Sequence, residues 1–369
     1  MIIYFIFPFV FLYCGLILYF TIGNLRYRPK KKDAPQQKVS LIIPFRNEVE
    51  NLPKLISALN NLDFPKAKLE IIFVDDHSED NGSDIVREKM KEFQWRIISL
   101  QEGEGKKLAL KAGITASKNE LIVTTDADCS MQAGWLKSMA GYFEAENPHL
   151  LLGAVVFNSA PTVFKSLQQL EFAALMASTA GAVAQQKAFM ANGANLAFRR
   201  ATYLHLTAEE LVMNQASGDD VFLLHALKNK YQKSAKICFA NDRNALVYTD
   251  AIDSLSEFVQ QRIRWGGKAK HYTDGFTIFV SVVVLLGNVV LPLLLLFSFL
   301  GLVHWMYFAI YFLLKWIVDS SLISSIVKWR GFPINPIYTL LLTFIYPFYF
   351  ILLALLSLRF KAGWKGRKL

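Results

Sequence analysis

The long uncharged apolar runs at the two ends of this chain constrain its fold more than any other feature. Residues 2–23 contain no charged side chain, and about 20 such residues are enough to cross the hydrocarbon core of a bilayer. Positive charge follows the run, at Arg26, Arg28, Lys30, Lys31 and Lys32. A cleaved secretory signal carries its charge ahead of the apolar run, so this segment reads as an anchor. The bias of basic residues puts the N-terminus outside and Arg26 onward in the cytoplasm. Residues 276–303, 305–327 and 334–358 form three more apolar stretches. The first two suit a hairpin turning near residues 301–304 that returns Lys328 and Arg330 to the cytoplasm. A full crossing by the third would leave the basic tail outside, against the charge rule. Pro333, Pro336 and Pro347 also make it a poor straight helix. We expect three crossings, a re-entrant or interfacial third stretch, and leave the side of the tail open. Lys315 and Asp319, four residues apart in the second stretch, read either as a functional pair at membrane depth or as a neutralised structural one.

Hydrophobic residues make up 53% of the chain, and the surplus sits in these end segments. The expected organisation is a transmembrane helix over 1–25, a cytoplasmic domain over 38–270, a membrane region over 276–358 and a basic tail over 359–369. The formal net charge of +10 collects beside the apolar segments, at the cluster after residue 25 and at Arg359, Lys361, Lys365, Arg367 and Lys368. Basic residues in those places mark topology and contact membrane lipids. No basic and aromatic stripe runs through the soluble part, which argues against a nucleic-acid partner. Cys14, Cys129 and Cys238 are widely separated, offering neither a disulfide framework nor a paired metal motif. A reducing cytosolic setting fits them.

Between the anchors the pattern alternates. Strands are expected at 39–43, 70–74, 95–100, 120–125 and 150–157, and helices at 49–59, 80–92, 106–117 and 133–144. Such alternation predicts an α/β domain with a mostly parallel sheet covered on both faces. Ligands bind such sheets beyond the carboxyl ends of the strands. Pro44, Arg46, Asn47 and Glu48 follow the first strand, Asp75 and Asp76 the second, and Asp126 and Asp128 the fourth. Three strand ends therefore send polar groups to one rim.

Asp126-Ala127-Asp128 offers hard oxygen ligands of the kind Mg²⁺ or Mn²⁺ uses to bridge protein and phosphates. Alone it equally suits a solvated turn capping a helix. Asp75 and Asp76 suit either a nucleoside contact or the same kind of turn. The stretch 103–107 either sets Lys106 near phosphates or is a plain glycine-rich lead into a helix. Asp219 and Asp220 precede an apolar helical run, where the helix dipole favours carboxylates in any case. Functionally, Asp220 reads as a general base. Gln261, Arg264 and Trp265 share one helical face and are suited to a diphosphate and an acceptor opening. An interfacial Arg and Trp before a membrane helix is the plainer alternative.

The ordered set Val39-Ser40-Leu41-Ile42-Ile43-Pro44, Asp75-Asp76, Asp126-Ala127-Asp128, Asp219-Asp220 and Gln261-x-x-Arg264-Trp265 resembles the family 2 inverting glycosyltransferases. It is most similar to their membrane-integrated branch, which includes cellulose, hyaluronan and poly-N-acetylglucosamine synthases and ceramide glucosyltransferases. The resemblance covers about residues 38–270. Each motif is weak singly; their order and spacing make the set specific. It implies a GT-A fold, a nucleotide-sugar donor (UDP-linked foremost), a lipid or glycan acceptor and an Mg²⁺ or Mn²⁺ cofactor. It also implies a place in the bacterial inner (plasma) membrane with the catalytic domain cytoplasmic. Carried over, Asp76 with Asp75 contacts the base, Asp126 the nucleotide and Asp128 the metal, while Asp220 is the base. Asn192, Gly193 and Asn195 fall in the acceptor-side segment. The family's catalytic motif commonly reads Glu-Asp; here Gly218-Asp219-Asp220 stands in its place, which leaves the choice between Asp219 and Asp220 open.

The resemblance divides between a single-transfer lipid glycosyltransferase and a processive polysaccharide synthase. The small membrane part argues against a self-sufficient export channel unless the protein oligomerises or has an export partner. A transporter would show repeats, and an inactive scaffold would have lost carboxylates. A cytosolic nucleotidyltransferase would need no anchors.

Overall fold

A computed structural model describes residues 2–158, 162–215, 217–331, 333–359, 363–364 and 367–368. Lys361 and Lys365 of the expected tail lie outside the described residues. The chain opens with helix α1 (Ile2–Arg26) and then enters the α/β domain. Its first half runs β1 (Val39–Phe45), α2 (Leu52–Asn60), β2 (Leu69–Asp75), α3 (Gly82–Lys89), β3 (Gln94–Ser99), α4 (Lys106–Ala116) and β4 (Leu121–Thr124). Every residue of β1 is buried, as expected of a central parallel strand covered on both faces. β3 has no buried residue, being exposed at both ends and half-buried between, as suits a sheet edge. In α2, Leu52, Leu55, Ile56 and Leu59 are buried at the spacing of one helical face.

The second half runs β5 (Ser130–Met131), α5 (Trp135–Glu146), β6 (Leu150–Gly153), β7 (Val155–Phe157), α6 (Val163–Ala184), β8 (Leu196–Arg199) and α7 (Arg200–Leu204). It continues through α8 (Asp219–Tyr231), β9 (Ile237–Ala240), β10 (Val247–Thr249) and α9 (Leu255–Gly267). A seven-stranded sheet has the order β3-β2-β1-β4-β8-β6-β9, and a three-stranded one the order β5-β10-β7. β1 is parallel to β2 and β4, and β2 to β3. β8 is antiparallel to both its neighbours, and β9 is parallel to β6. The sheet is thus mostly parallel, as expected.

One expectation needs correcting. The single strand over 150–157 is two strands in different sheets, with Gly153 beside Ala240 and Val155 beside Val247. Both halves are buried, so hydrophobicity alone gave no sign of the break. Asn195 makes it: its side-chain amide donates to the carbonyls of Ala154 and Ala245, both at 2.8 Å.

After α9 come α10 (Gly275–Phe299), α11 (Trp305–Ser324), α12 (Val327–Arg330) and α13 (Pro336–Arg359). Among the described residues, four helices are long and apolar enough to cross a membrane: α1, α10, α11 and α13. The prolines do not break α13. Pro336 opens it, where no amide hydrogen is needed, and Pro347 lies within it. α13 starts just after α12, whose Trp329 ring lies 5.6 Å from Phe239 of β9. Near its far end, Ser357 packs on Gly266 of α9. Lys315 and Asp319 do pair, at 2.7 Å.

Candidate active site

The sheet's strand ends deliver the site. β2 ends on Asp75, whose carboxylate accepts from the Ser78 amide and the Ser83 hydroxyl, each at 2.9 Å. Asp76 is almost fully buried and accepts from the Gly105 amide at 3.0 Å. Gly105 has a φ of 106°, a conformation that favours glycine. Arg46 donates to the carbonyls of Asp76 and His77, each at 2.9 Å. Next to these residues an open cleft is lined by Arg46, His77, Glu79, Gly103 and Glu104. Asn47 supports its wall by accepting from the Glu79 amide at 2.8 Å.

Past β4, Asp126 meets Lys106 at 2.6 Å, and the same ammonium lies 3.4 Å from Asp219. Burial works against the Lys106 charge, but Asp126 and Asp219 outweigh it and raise its pKa. Arg264 of α9 lies within electrostatic reach of Asp126, Asp128 and Asp219, whose charges favour its own. Asp220 accepts from the Gly193 amide at 3.2 Å, from the Val221 amide at 2.7 Å and from Lys268 at 3.3 Å. Burial pushes the Asp220 carboxyl up, yet Lys268 and Lys106 together hold it below its ordinary range. A Cβ at Gly193 would stand 2.6 Å from Asp219 Oδ2 and 3.2 Å from Lys106 Nζ, so a larger residue there would displace those two groups.

Among the described residues no group of three or more His, Cys, Asp or Glu could hold a metal. Mg²⁺ and Mn²⁺ need less from the protein, since one or two carboxylates serve when phosphates complete the shell. Burial first, and the Glu48 charge second, raise the Asp128 pKa. A cation beside Asp128 would relieve both, so Asp126 and Asp128 fit the group.

The fold brings Asp126, Asp128, Asp219, Asp220, Lys106, Gly193 and Arg264 together. Other expected residues stand behind the rim. Pro44 is buried within β1. Asn192 accepts from the Ala194 amide in its own turn. Asn195 is wholly buried and takes a hydrogen bond from Trp135 Nε1 at 3.1 Å. Lys268 and Lys107 escaped the sequence reading. Lys107 turns away from its neighbour to donate to the carbonyls of Leu211 and Val212, at 3.2 and 2.7 Å. Burial lowers its pKa to about 8.

Residues 40–206 match the sequence model of the family described as Glycosyl transferase family 2. The matched segment runs from β1 through α7 and so lies within the α/β domain. Glycosyltransferase AglE of Haloferax volcanii is 32% identical over 120 residues, covering 32% of this chain and 40% of that protein. Poly-beta-1,6-N-acetyl-D-glucosamine synthase of Staphylococcus epidermidis is 27% identical over 179 residues, 46% of this chain and 42% of the synthase. The undecaprenyl-phosphate 4-deoxy-4-formamido-L-arabinose transferase of Salmonella choleraesuis is 37% identical over 98 residues, 26% and 30% of the two chains. The chain thus spans under half the length of these curated relatives. Among solved structures, mannosyltransferase PcManGT from Pyrobaculum calidifontis, in complex with GDP-Man and Mn²⁺, aligns over 96% of this chain and 95% of its own. The TM-score is 0.57 at 15% identity. The shared architecture is the GT-A fold.

Proposed function

We propose that this protein is a membrane-embedded inverting glycosyltransferase with its catalytic domain in the cytoplasm. It moves a sugar from a nucleotide-sugar donor, a UDP-sugar foremost, to a lipid or glycan acceptor. The observation that carries this reading is the meeting of Asp126, Asp128, Asp219 and Asp220 with Lys106, Lys268 and Arg264 at one rim. A nucleotide diphosphate needs fixed cations, hydroxyls need acceptors, and a hydroxyl nucleophile needs a base.

Asp76, backed by Asp75, takes the nucleoside end beside the cleft at Arg46, and Asn47 and Glu48 border it. Asp126 and Asp128 would hold Mg²⁺ or Mn²⁺, which offsets charge on the departing diphosphate when bound. Lys106 and Arg264 steady the phosphates from the protein side. Asp220 receives the acceptor hydroxyl's proton while the new bond to the anomeric carbon forms opposite the breaking bond to the diphosphate. The Gly193 amide and Lys268 fix its carboxylate, whereas Asp219 is given to Lys106; we therefore assign the base to Asp220. Gln261 and Trp265 border the acceptor opening, with Asn192 and Asn195 shaping the segment behind Gly193.

The acceptor side adjoins the membrane region. Lys268 stands seven residues before α10 begins at Gly275, and Thr277 of α10 donates to Phe189 O at 3.3 Å. This favours an acceptor delivered from the lipid. We infer three crossings, α1, α10 and α11, with α13 running along the interface. Both ends of α13 adjoin the α/β domain, and Ile337, Phe344, Phe348, Leu352 and Leu355 are exposed along it at the spacing of one lipid-facing stripe. This course keeps the basic tail on the cytoplasmic side, in agreement with the charge rule.

The test is nucleotide release by the detergent-purified full chain, with Mg²⁺ or Mn²⁺, a panel of UDP- and GDP-sugars and membrane lipid extract. Metal-dependent release from one donor, lost in Asp128→Ala and Asp220→Asn, is expected. Product size then separates single transfer from polymerisation, the latter calling for an oligomer or export partner. No turnover of any donor, with both variants behaving like the parent, would hand the lead to an inactive scaffold.

A further inference from the structure

The sequence reading passed over Arg262, the residue between two motif side chains. A step of two along a helix turns a side chain by about 200°, so Arg262 faces away from the carboxylates that Arg264 faces. There it is buried against α6. Its Nε lies 3.1 and 3.3 Å from the two carboxylate oxygens of Glu171, and its Nη2 lies 2.7 Å from Oε2. Its remaining nitrogen, Nη1, donates to Gln261 Oε1. Its guanidinium carbon stands 4.4 Å from the ring centroids of both Trp265 and Phe258. Trp265 also packs against Phe172 of α6, at 6.0 Å between centroids. From α13, Tyr349 stands beside Glu171 and meets Phe258 edge-on at 6.0 Å.

We propose that Arg262, locked to Glu171, is a positioning residue that sets Gln261 and Trp265 for the acceptor, and that α13 closes this lock. The proposal rests on the glycosyltransferase reading given above. Stability alone does not account for a buried ion pair, because apolar residues of equal volume commonly pack as well or better. What a guanidinium adds is direction. Its flat fork matches a carboxylate on one edge, donates to an amide on the other and stacks on rings through its faces. Every one of those contacts is used here, and two of them fall on the motif side chains. An ammonium at the same place would keep the charge and lose the orientation.

Arg262→Lys is therefore the diagnostic change, since removing either partner outright strands the other's charge in a dry site. In the full chain in nanodiscs, acceptor-dependent kcat/KM should fall roughly 10- to 100-fold, while donor KM stays within about twofold of the parent. In a background of Gln261→Ala with Trp265→Phe, adding Arg262→Lys should cost about twofold or less, because residues acting through one another are not additive. Full additivity, or an equal loss of donor affinity, overturns the proposal. A second measurement needs no activity. The chain has seven tryptophans, and with 5-fluorotryptophan labelling the Trp265 resonance is identified by its loss in Trp265→Phe. That resonance should shift and broaden in Arg262→Lys, and shift less in Glu171→Gln, which stands in if the lysine variant fails to accumulate. An unmoved signal overturns the positioning role. A parent that transfers no sugar refutes the glycosyltransferase reading instead, and the fluorine spectrum then decides the lock by itself.

Discussion

Two charge clusters in this molecule are built from the same residue types and balanced differently. Between the apolar helices, Lys315 lies 2.7 Å from Asp319, and the Tyr13 hydroxyl accepts from Lys315 at 2.6 Å while donating to Asp319 at 2.7 Å. One cation meets one anion, and the phenol closes the ring of contacts. At the rim of the sheet, four carboxylates (Asp126, Asp128, Asp219 and Asp220) face three cations (Lys106, Lys268 and Arg264). The excess is felt at Asp128, whose carboxyl is pushed up by burial and by Glu48. A closed cluster spends its interactions on one geometry, here the docking of α1 on α11. An open cluster keeps charge for a ligand. Ionisable groups at membrane depth are suspects by default, but in this chain balance separates the structural pair from the candidate site better than depth does.

The sharpest way to break that contrast is at the rim. Asp220→Asn should lower transfer by roughly 100- to 10,000-fold, the range of a lost general base, with folding stability within about 1 kcal/mol of the parent. Initial rates and thermal melts of the same preparation check it. Matched losses of both would make Asp220 a structural residue and erase the difference between the clusters. The reverse is expected of the closed cluster. Lys315→Met should cost about 2–4 kcal/mol of stability, since it leaves the half-buried Asp319 carboxylate without its cation, without altering donor KM. Replacing both members, Lys315→Met with Asp319→Leu, should recover most of the loss. If the double variant stays as unstable as the single one, or recovers its fold without activity, the pair has a role beyond docking.

What the sequence disclosed follows from the range of each signal. The strands, and the carboxylates directly after them, are written locally: an apolar β-branched run followed by Asp is visible without knowing the fold. Hence Asp75, Asp76, Asp126 and Asp128 were found, and the rim with them. Lys268 and Lys107 carry no such mark. Lys268 reaches Asp220 across 48 residues, and Lys107 reaches Leu211 across 104, so only the tertiary fold makes them neighbours. Glu171 and Arg262 are 91 residues apart. The division of 150–157 between two sheets depended on Asn195, itself read as an acceptor-side residue. In α13 the prolines misled for a physical reason: at a first turn proline costs nothing, and one interior proline can be absorbed by a helix packed on its neighbours.

A third measurement sharpens the contrast between adjacent lysines. Carboxylates hold Lys106 charged, whereas Lys107 donates to two carbonyls and stands 4.6 Å from the Phe222 ring, and its burial, helped by Lys268, outweighs the pull of Asp219 and Asp220. Burial lowers the Lys107 pKa to about 8, against about 10.4 for a free lysine. Between those values the unfolded chain holds a proton that the folded one has released, so stability rises with pH across that window. Below about 8 both forms are charged and the burial penalty is complete. Urea unfolding from pH 7.5 to 10.5 should show this rise in the parent and a flatter profile in Lys107→Met. Identical slopes would put Lys107 with the balanced residues.

The smallest effect belongs to the seam between the two regions, where α8 meets α10. His225 Nε2 lies 3.2 Å from Thr277 Oγ1, and Tyr272 packs edge-on to its ring at 5.5 Å. Burial, with help from Lys228 and against Asp274, lowers the His225 pKa. The sign runs opposite to that of a histidine gaining an anionic partner. Above about pH 6.5, the ordinary value, both folded and unfolded forms are neutral and nothing is lost. As pH falls below it, the unfolded chain takes up a proton first, so stability declines until the folded-state pKa is reached. Thermal melts between pH 7.5 and 5 should therefore slope downward in acid, and His225→Asn should remove part of that slope. Because α8 carries Asp219 and Asp220 at its start, loss of transfer in acid that tracks the melts would assign the seam to structure. Loss of transfer while the melting temperature holds would instead assign it to the rim.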